Sequence, residues 1–271
     1  MNDRERIDIE LVRRGLFSSR EKAQAAIMAG QIYIGEKKIQ KASEAVSSDD
    51  DIHVRALSPA YVSRGALKLE KAIQVFHADF SDRVIIDIGA STGGFTDVCL
   101  QNGARRVYSV DVGYGQLDWK LRNDPRVSVM ERTNARYLTR DMFSDIPSIA
   151  VIDVSFISIK LILPAAVSVI GDKGEIYSLI KPQFEAGRSK VGKKGVVRDP
   201  DVHCEVLEDI IRFTETIGWR MDGLSFSPIT GPEGNIEFLS HIVKRTDETS
   251  VISKETVREI VENAHASLKT C

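Results

Sequence analysis

The sequence of 271 residues contains only three cysteines, and they lie far apart, at Cys99, Cys204 and Cys271. This spacing excludes the paired cysteines of a zinc ribbon or of a disulfide framework, and no other cluster of ligand residues indicates a metal site. Intracellular proteins rarely contain disulfides. We therefore predict a cytoplasmic protein without a metal.

Long apolar runs are missing as well. The longest apolar window, residues 161–170, is about half as long as a bilayer span must be, and it contains Pro164. Residues 1–6 are too charged to lead a secretory signal peptide, and no apolar segment follows them. These absences argue against a membrane protein and against a secreted toxin.

A strong net charge is the third feature that the chain lacks. It has 37 Lys and Arg against 39 Asp and Glu, which gives a net charge of −2. A nucleic-acid partner must therefore be recognised by local clusters of basic residues rather than by overall charge. The length predicts about two domains.

The first 55 residues have the pattern of a small separate unit. Residues 7–12 have helical apolar spacing that ends at Gly15, and residues 21–29 form a second helical pattern closed by Gly30. Residues 31–34 and 51–54 alternate as strands do. The pattern predicts a helix pair followed by a short β-structure.

Basic residues are in local excess in this unit, with nine Lys and Arg against six Asp and Glu in residues 1–42. Such a cluster is able to bind phosphates, although it is also consistent with an ordinary solvated helix face. The candidates for an RNA-binding face are Arg13, Arg14, Arg20, Lys22, Lys37 and Lys38.

The segment RIDIELVRRGLFSSREKAQAAIMAGQIYIGEKKI resembles the RNA-binding domain first recognised in ribosomal small-subunit protein S-four. The resemblance implies a small α+β RNA-binding domain over residues 1–58, in which two helices and a hairpin contact the RNA backbone. Residues 33–35 read Tyr-Ile-Gly where Val-Asn-Gly is usual, and this departure affects only a turn. Residues 59–63, with Pro59, have the composition of a linker.

The most informative stretch of the chain is an apolar run, residues 84–88, that leads into the glycine-rich residues 89–94. This pattern predicts a buried parallel strand feeding a helix, with a ligand at the carboxyl end of the strand. The glycines let the backbone approach that ligand closely. Their Gly-x-x-x-Gly-Gly spacing differs from the Gly-x-Gly-x-x-Gly of dinucleotide sites.

A second strand, residues 106–111, ends in Asp111, whose carboxylate suits the two hydroxyl groups of a ribose. No Walker lysine accompanies it, which argues against a nucleoside triphosphate. An adenosine-containing cofactor without a pyrophosphate fits better, and S-adenosylmethionine is the common one. The alternative is a glycine-rich turn of an ordinary α/β protein.

Strands and helices alternate through the rest of the chain. Strand patterns cover residues 127–130, 149–153, 175–180, 219–229 and 236–243, and helical patterns cover residues 159–170, 199–217 and 253–268. Alternation of this kind predicts a mostly parallel sheet, and the terminal hairpin adds one antiparallel strand at its edge. The order and length resemble those of Rossmann-like methyltransferases.

Four titratable residues, Lys68, Asp153, Lys181 and Glu237, fall at the ends of elements that we expect to converge. Taken singly, each is consistent with a solvated or helix-capping residue. Gathered in one pocket, two ammonium groups and two carboxylates pair with one another, and a lysine in such a pocket is able to take a proton from a ribose hydroxyl.

Five motifs resemble the FtsJ type of ribose 2′-O-methyltransferase, and most closely the TlyA or haemolysin A subfamily, which joins that domain to an S-four-type domain. They are SRGALKLE, DIGASTGGFT, VIDVSF, LIKPQFE and GNIEFL. The resemblance implies an S-adenosylmethionine-dependent methyltransferase domain over residues 59–271 that acts on ribosomal RNA. It assigns the catalytic tetrad to Lys68, Asp153, Lys181 and Glu237, with Lys181 as the base, oriented by Asp153 and Glu237.

The same resemblance assigns the other site residues. The cofactor positions are Asp87, Gly89, Ala90, Ser91, Thr92, Gly93, Gly94, Phe95, Asp111, Val112, Asn134 and Asp153. Asn134 stands where many methyltransferases carry Asp, and its amide still both donates and accepts hydrogen bonds. Further RNA contacts are expected from Arg64, Arg188, Lys190, Lys193 and Lys194.

Two other functions remain open at this stage. One is an RNA-binding ribosome-assembly factor without activity, which the intact tetrad argues against. The other is a haemolysin that acts on membranes, which the lack of a membrane segment argues against. The sequence leaves open the target nucleotide, the ribosomal subunit and the oligomeric state.

Overall fold

The structure is a computed structural model that describes residues 4–17, 19–28, 32–35, 37–39, 41–47, 49–54, 61–244 and 252–268. The chain forms two compact units, Met1–Ala60 and Tyr61–Cys271.

The first unit contains two helices and two small antiparallel sheets. Its elements are β1 Arg4–Arg6, α1 Ile7–Arg13, α2 Arg20–Met28, β2 Ile32–Ile34, β3 Lys37–Lys38, β4 Ala45–Ser47 and β5 Ile52–Val54. Strands β3, β2 and β5 form one sheet, and β1 pairs with β4. The helix pair that the sequence predicted is present, and Gly30 and Gln31 lie outside the described residues. The β1–β4 pair was not predicted, because Arg4-Glu5-Arg6 has no apolar alternation.

The second unit is built on a seven-stranded sheet. Its strands are β6 Val84–Ile88, β7 Arg106–Val110, β8 Val127–Met130, β9 Ile149–Ile152, β10 Glu175–Ile180, β11 Trp219–Phe226 and β12 Phe238–Lys244. Its helices are α3 Ala66–Phe76, α4 Gly94–Gln101, α5 Trp119–Arg122, α6 Leu163–Ile170, α7 Pro182–Glu185, α8 Pro200–Thr216 and α9 Lys254–Ser267.

The strand order is β11-β12-β10-β9-β6-β7-β8, and the strands from β10 to β8 pair in parallel. The predicted mostly parallel α/β sheet is therefore confirmed. The position of the antiparallel strand was wrong by one place: β12 pairs with both β10 and β11, so β11 forms the edge. The reason is that β11 runs in the same direction as β10, and the hairpin returns β12 into the space between them.

Helices cover both faces of this sheet, as a parallel sheet requires. Alternate side chains of β6 point to opposite faces, so Ile86 packs with α6, α8 and α9 whereas Ile85 packs with α3 and α4. All five residues of β6 are buried. The polar loops at the carboxyl ends of the strands are thereby held on a rigid base. Among the described residues no helix has the length and apolar character needed to cross a membrane.

A buried histidine pair joins α8 to α9. His203 is fully buried, its Nδ1 lies 3.0 Å from Nε2 of His265, and its ring meets Phe238 edge to face. Burial lowers the pKa of His203 to about 4, and the neighbouring His265 acts in the same direction. The native state therefore holds a neutral imidazole at this position.

We expect the free energy of unfolding to fall as pH decreases from about 6.5 towards 4, by up to roughly 3 kcal/mol from this group. The sign follows because the unfolded chain binds a proton below its ordinary pKa while native His203 stays neutral until the pH reaches its lowered pKa. Denaturant titrations monitored by the fluorescence of the buried Trp219 measure the effect. His203→Leu removes most of this slope, and an unchanged slope in that variant would contradict the assignment.

Candidate active site

The candidate site lies where the carboxyl ends of β6, β7, β9 and β10 meet. A cavity of about 360 Å³ opens there, between the loops that follow β6, β7, β8 and β9. Six of the twelve cofactor candidates line it: Gly89, Ser91, Asp111, Val112, Asn134 and Asp153. The sequence did not single out four further polar or aromatic lining residues: Gln116, Thr133, Ser155 and Phe156.

The carboxylate of Asp111 is held by two backbone groups at the floor of this cavity. The N–H of Ser91 donates to Oδ2 at 2.8 Å, and the N–H of Gly113 donates to Oδ1 at 2.7 Å. A carboxylate offers about four acceptor positions, so two remain for a ligand. The two bonds also tie the glycine-rich loop after β6 to the loop after β7.

A fully buried carboxylate lies beneath the same loop. The hydroxyl of Thr96 donates to Oδ2 of Asp87 at 2.6 Å and lies 2.7 Å from the hydroxyl of Ser109. Within the described residues Oδ1 of Asp87 has no hydrogen-bond partner. Burial raises the pKa of Asp87 to about 7, and the negative charge of Asp153 adds to this shift. Asp87 therefore has an unused acceptor that a cationic or donor group of a ligand would satisfy.

The glycines of the loop are required by the protein's own packing, a role that the sequence analysis did not foresee. A Cβ at Gly89, where φ is +87°, would lie 2.5 Å from the carbonyl oxygen of Asp153. A Cβ at Gly94 would lie 2.4 Å from Oγ of Ser63, at the start of the chain segment that leads into α3. Gly93 packs against Leu117 and Leu121 and lines neither cavity of the site. The glycines therefore bring the loop against its neighbours.

The four tetrad candidates come together in one network. Nζ of Lys68 donates to Oε2 of Glu237 at 2.6 Å and lies 3.7 Å from Oδ2 of Asp153. Nζ of Lys181 lies 2.5 Å from Oδ1 of Asp153. Lys68, Lys181 and Glu237 are nearly fully buried, whereas the side chain of Asp153 is 20% exposed. Asp153 thus stands between the two lysines.

One expectation about this network is not met. Glu237 was expected to orient Lys181, but in the structure it pairs with Lys68. Lys181 donates instead to Oγ of Ser155 at 2.9 Å. Glu237 also lies just ahead of β12 rather than inside a strand. The difference arises because Lys68, which extends from α3, fills the space in front of Glu237.

A second cavity, of about 220 Å³, opens onto the tetrad. Its lining contains all four tetrad residues together with Ala90, Thr92, Gly94 and Phe95 of the glycine-rich loop. Four residues line both cavities: Gly89, Ser91, Asp153 and Ser155. The boundary between the two cavities is therefore the place where a bound ligand would meet the tetrad.

Two loops that flank this boundary are fastened together. Oε2 of Glu185 accepts from the hydroxyl of Ser158 at 2.6 Å, and its Oε1 accepts from the N–H of Ile159 at 2.8 Å. Glu185 belongs to α7, the short helix that begins directly after Lys181. Phe156, which is 91% exposed, lies 5.3 Å from the ring of Phe184. The loop after β9 is thus fixed to the segment that carries Lys181.

The basic residues proposed to contact RNA differ in what they do in the first unit. Arg14 donates to Glu10 and to the carbonyl groups of Asp50 and Ser47, so much of its capacity is spent inside the fold. Arg20 is about half exposed and donates to the buried Asp8 at 2.9 Å. The remaining candidates are Arg13, which pairs with Glu10; Lys22, which is exposed; and Lys37, which pairs with Glu44. The side chain of Lys38 lies outside the described residues.

In the second unit, the loop between β10 and α8 supplies most of the candidates. Arg64, Arg188, Lys190 and Lys194 are exposed, and Lys190 pairs with Glu205. The side chain of Lys193 lies outside the described residues. Asn235, which is nearly fully buried, holds this loop by accepting from the N–H of Val197 at 3.0 Å and donating to the carbonyl of Gly195 at 2.9 Å. In the described part of the chain no three His, Cys, Asp or Glu residues are grouped as a metal site would need.

Comparisons with known proteins agree with this geometry. The model of the FtsJ-like methyltransferase family matches residues 61–244, and that of the S4 domain matches residues 5–52. The candidate rRNA methyltransferase YqxC of Bacillus subtilis is 52% identical, with 98% of this chain and 96% of YqxC aligned. The 16S/23S rRNA (cytidine-2′-O)-methyltransferase TlyA of Mycobacterium tuberculosis is 45% identical over 91% of this chain and 92% of TlyA.

A solved structure has the same fold over almost the whole chain. It is that of a candidate hemolysin from Streptococcus thermophilus, which is 46% identical, has a TM-score of 0.75, and aligns over 99% of this chain and 98% of its own. The family match and the two relatives confirm the resemblance that the motifs indicated. The chain therefore belongs to the FtsJ-like methyltransferase family, within the group that includes TlyA and carries an S4 domain ahead of the methyltransferase domain.

Proposed function

We propose that the protein transfers a methyl group from S-adenosylmethionine to a ribose 2′-hydroxyl of ribosomal RNA. The observation that carries the proposal is the Lys68–Glu237 and Lys181–Asp153 network at the boundary with the larger cavity. The similarity to TlyA, which is named as an rRNA 2′-O-methyltransferase, supports the same reaction and substrate.

The residues of the larger cavity fit S-adenosylmethionine. Asp111 retains acceptor positions for ribose hydroxyls, and the unpartnered Oδ1 of Asp87 suits the ammonium group of the methionine moiety. Asn134 presents an amide at the cavity wall for an adenine edge. When bound, the cofactor supplies an electrophilic methyl group on a sulfonium.

The tetrad acts on the RNA hydroxyl. In this proposal, Nζ of Lys181, as the neutral amine, accepts the 2′-hydroxyl proton, and Asp153 at 2.5 Å stabilises the resulting ammonium. Lys68 is neutralised by Glu237 and lies 3.7 Å from the other oxygen of Asp153, which holds that carboxylate in place. Positioning of the hydroxyl beside the methyl group supplies most of the acceleration.

Asp111→Ala should weaken binding of S-adenosylmethionine by roughly 1.5–3 kcal/mol, the range for removal of a charged hydrogen bond. The change also frees the N–H groups of Ser91 and Gly113, which loosens the loop. Asp111→Asn keeps one acceptor oxygen and should cost less. Calorimetric titration with and without RNA measures both variants, and wild-type affinity in Asp111→Ala would contradict the placement of the ribose.

The RNA would be held by two basic surfaces, one in each unit. The first is formed by Arg13, Arg20, Lys22 and Lys37 of the S4 domain, and the second by Arg64 and the loop that carries Arg188, Lys190 and Lys194. The second surface adjoins Lys181 in the chain, where phosphates near the target nucleotide are expected. Shape rather than base sequence is what such backbone contacts read.

The reaction is tested by mapping ribose methylation in ribosomal RNA from cells with and without the gene. We expect one or a few 2′-O-methyl groups to disappear in the deletion strain. They should return with the wild-type gene and not with a Lys181→Ala gene. Methylation that is unchanged in the deletion strain would contradict the proposed reaction and would favour an RNA-binding assembly factor without activity.

A further inference from the structure

Lys181 has two neighbours at its amino group, and they differ in kind. Oγ of Ser155 accepts a hydrogen bond from Nζ at 2.9 Å. Oδ1 of Asp153 is closer, at 2.5 Å, yet in the described part of the chain that oxygen takes part in no hydrogen bond of acceptable angle. The Asp153 contact is therefore mainly a charge interaction, which has little directional preference, whereas the Ser155 contact is directional.

Direction matters for an amine that acts as a base. A neutral lysine amine has two N–H groups and one lone pair in tetrahedral arrangement. Rotation about the last C–N bond moves the lone pair through a full circle unless an N–H group is held. A hydrogen bond to a fixed acceptor selects one rotational position, and the lone pair then points in a defined direction.

Building on the function proposed above, we propose that Ser155 is a positioning residue that aims the Lys181 amine at the ribose hydroxyl. Ser155 stands at the boundary of the two cavities, which is where the hydroxyl has to lie. Its oxygen accepts the same N–H before and after proton transfer. The proton of the hydroxyl goes to the lone pair of Lys181, and no bond to Ser155 forms or breaks.

The loop that carries Ser155 is built to hold it in register with Lys181. Glu185, four residues after Lys181, accepts the two hydrogen bonds from Ser158 and Ile159, three and four residues after Ser155. Between them Phe156 takes a left-handed backbone conformation, with φ at +64°, and contacts Phe184. Two anchors on the short α7 segment therefore fix the distance between the serine oxygen and the lysine nitrogen, as a precise site requires.

The first test compares Ser155→Ala with Ser155→Thr, which retains the hydroxyl. Single-turnover methyl transfer at saturating RNA and S-adenosylmethionine should fall about 10-fold or more in the alanine variant, because a misdirected group loses much of the benefit of alignment. The threonine variant should stay within about threefold of wild type, and both should bind RNA and cofactor normally. Ser168→Ala, which alters a half-buried serine of α6, is the matched control.

Two kinetic outcomes would overturn the inference. One is a wild-type rate in Ser155→Ala. The other is equal loss in the alanine and threonine variants together with weaker RNA binding, which would make Ser155 an RNA contact instead of an orienting group for Lys181.

The second test does not depend on activity. In protein labelled with ¹⁵N-lysine, the side-chain signal of Lys181 is assigned by its loss in Lys181→Arg, and its order parameter is measured in the free protein. Ser155→Ala should lower the order parameter, and Ser155→Thr should restore it. An unchanged order parameter in Ser155→Ala would refute the orienting role even if the wild type methylates RNA. If the order parameter falls but the wild type methylates no RNA, the proposed function fails and the orientation of Lys181 by Ser155 stands.

Discussion

Replacement of Lys181 by alanine should reduce single-turnover methyl transfer by about 10²–10⁴-fold, the usual contribution of a general base. The side chain ends in the network of Asp153 and Ser155 at the boundary of the two cavities. Its removal leaves Asp111 and the glycine-rich loop untouched, so binding of S-adenosylmethionine should remain close to wild type. Rapid-quench transfer of a labelled methyl group, together with calorimetry, measures the two properties separately.

A matched variant separates basicity from charge. Lys181→Arg keeps a cation beside Asp153, but a guanidinium does not give up its proton in proteins. If Lys181 acts only by neutralising charge, the arginine variant should retain much of the activity. If it acts as the base, both variants should be inactive. Transfer near the wild-type rate in Lys181→Ala would instead point to Lys68 or to a water molecule as the base.

The strand ends that carry the site were predictable from the sequence for a simple reason. Parallel strands place their carboxyl ends at one edge of a sheet, so acids and lysines that directly follow apolar runs are brought together whatever their distance along the chain. Asp153 follows β9 and Lys181 follows β10, and these strands are neighbours. Glu237 precedes β12, where Phe238 is paired with Ile180, so it too reaches Lys181's end of the sheet.

The pairing within the site was not predictable in the same way. Which carboxylate faces which lysine depends on the direction from which α3 delivers Lys68, and apolar periodicity does not contain that information. Ser155 was missed because its role depends on a loop conformation set by Phe156 and Glu185. A serine two residues after the strand-end Asp153 was the only signal available. The packing role of Gly89 and Gly94 likewise depends on neighbours that are distant in sequence.

Removal of residues 1–60 should weaken binding to ribosomal RNA and leave S-adenosylmethionine binding nearly unchanged, because the S4 domain and the methyltransferase domain form separate compact units. If about five phosphates are neutralised by the full chain, the logarithm of affinity should fall with the logarithm of salt concentration at a slope of roughly −4. Every phosphate that only the first unit neutralises should, after the truncation, flatten that slope by about 0.7–0.9. Filter binding of both proteins to ribosomal RNA across a salt series measures the slopes.

A full-length variant guards against damage caused by the truncation itself. Lys22→Glu with Lys37→Glu reverses two charges of the first unit and disturbs only the exposed Lys37–Glu44 pair, which contributes little to stability. Lys254→Glu, at an exposed position of α9, is the matched control for a change of surface charge. The double variant should lose affinity and flatten the slope, and the control should do neither. Identical slopes and affinities for wild type, double variant and truncated protein would show that the basic residues of the S4 domain are solvated and that the second unit alone binds the RNA.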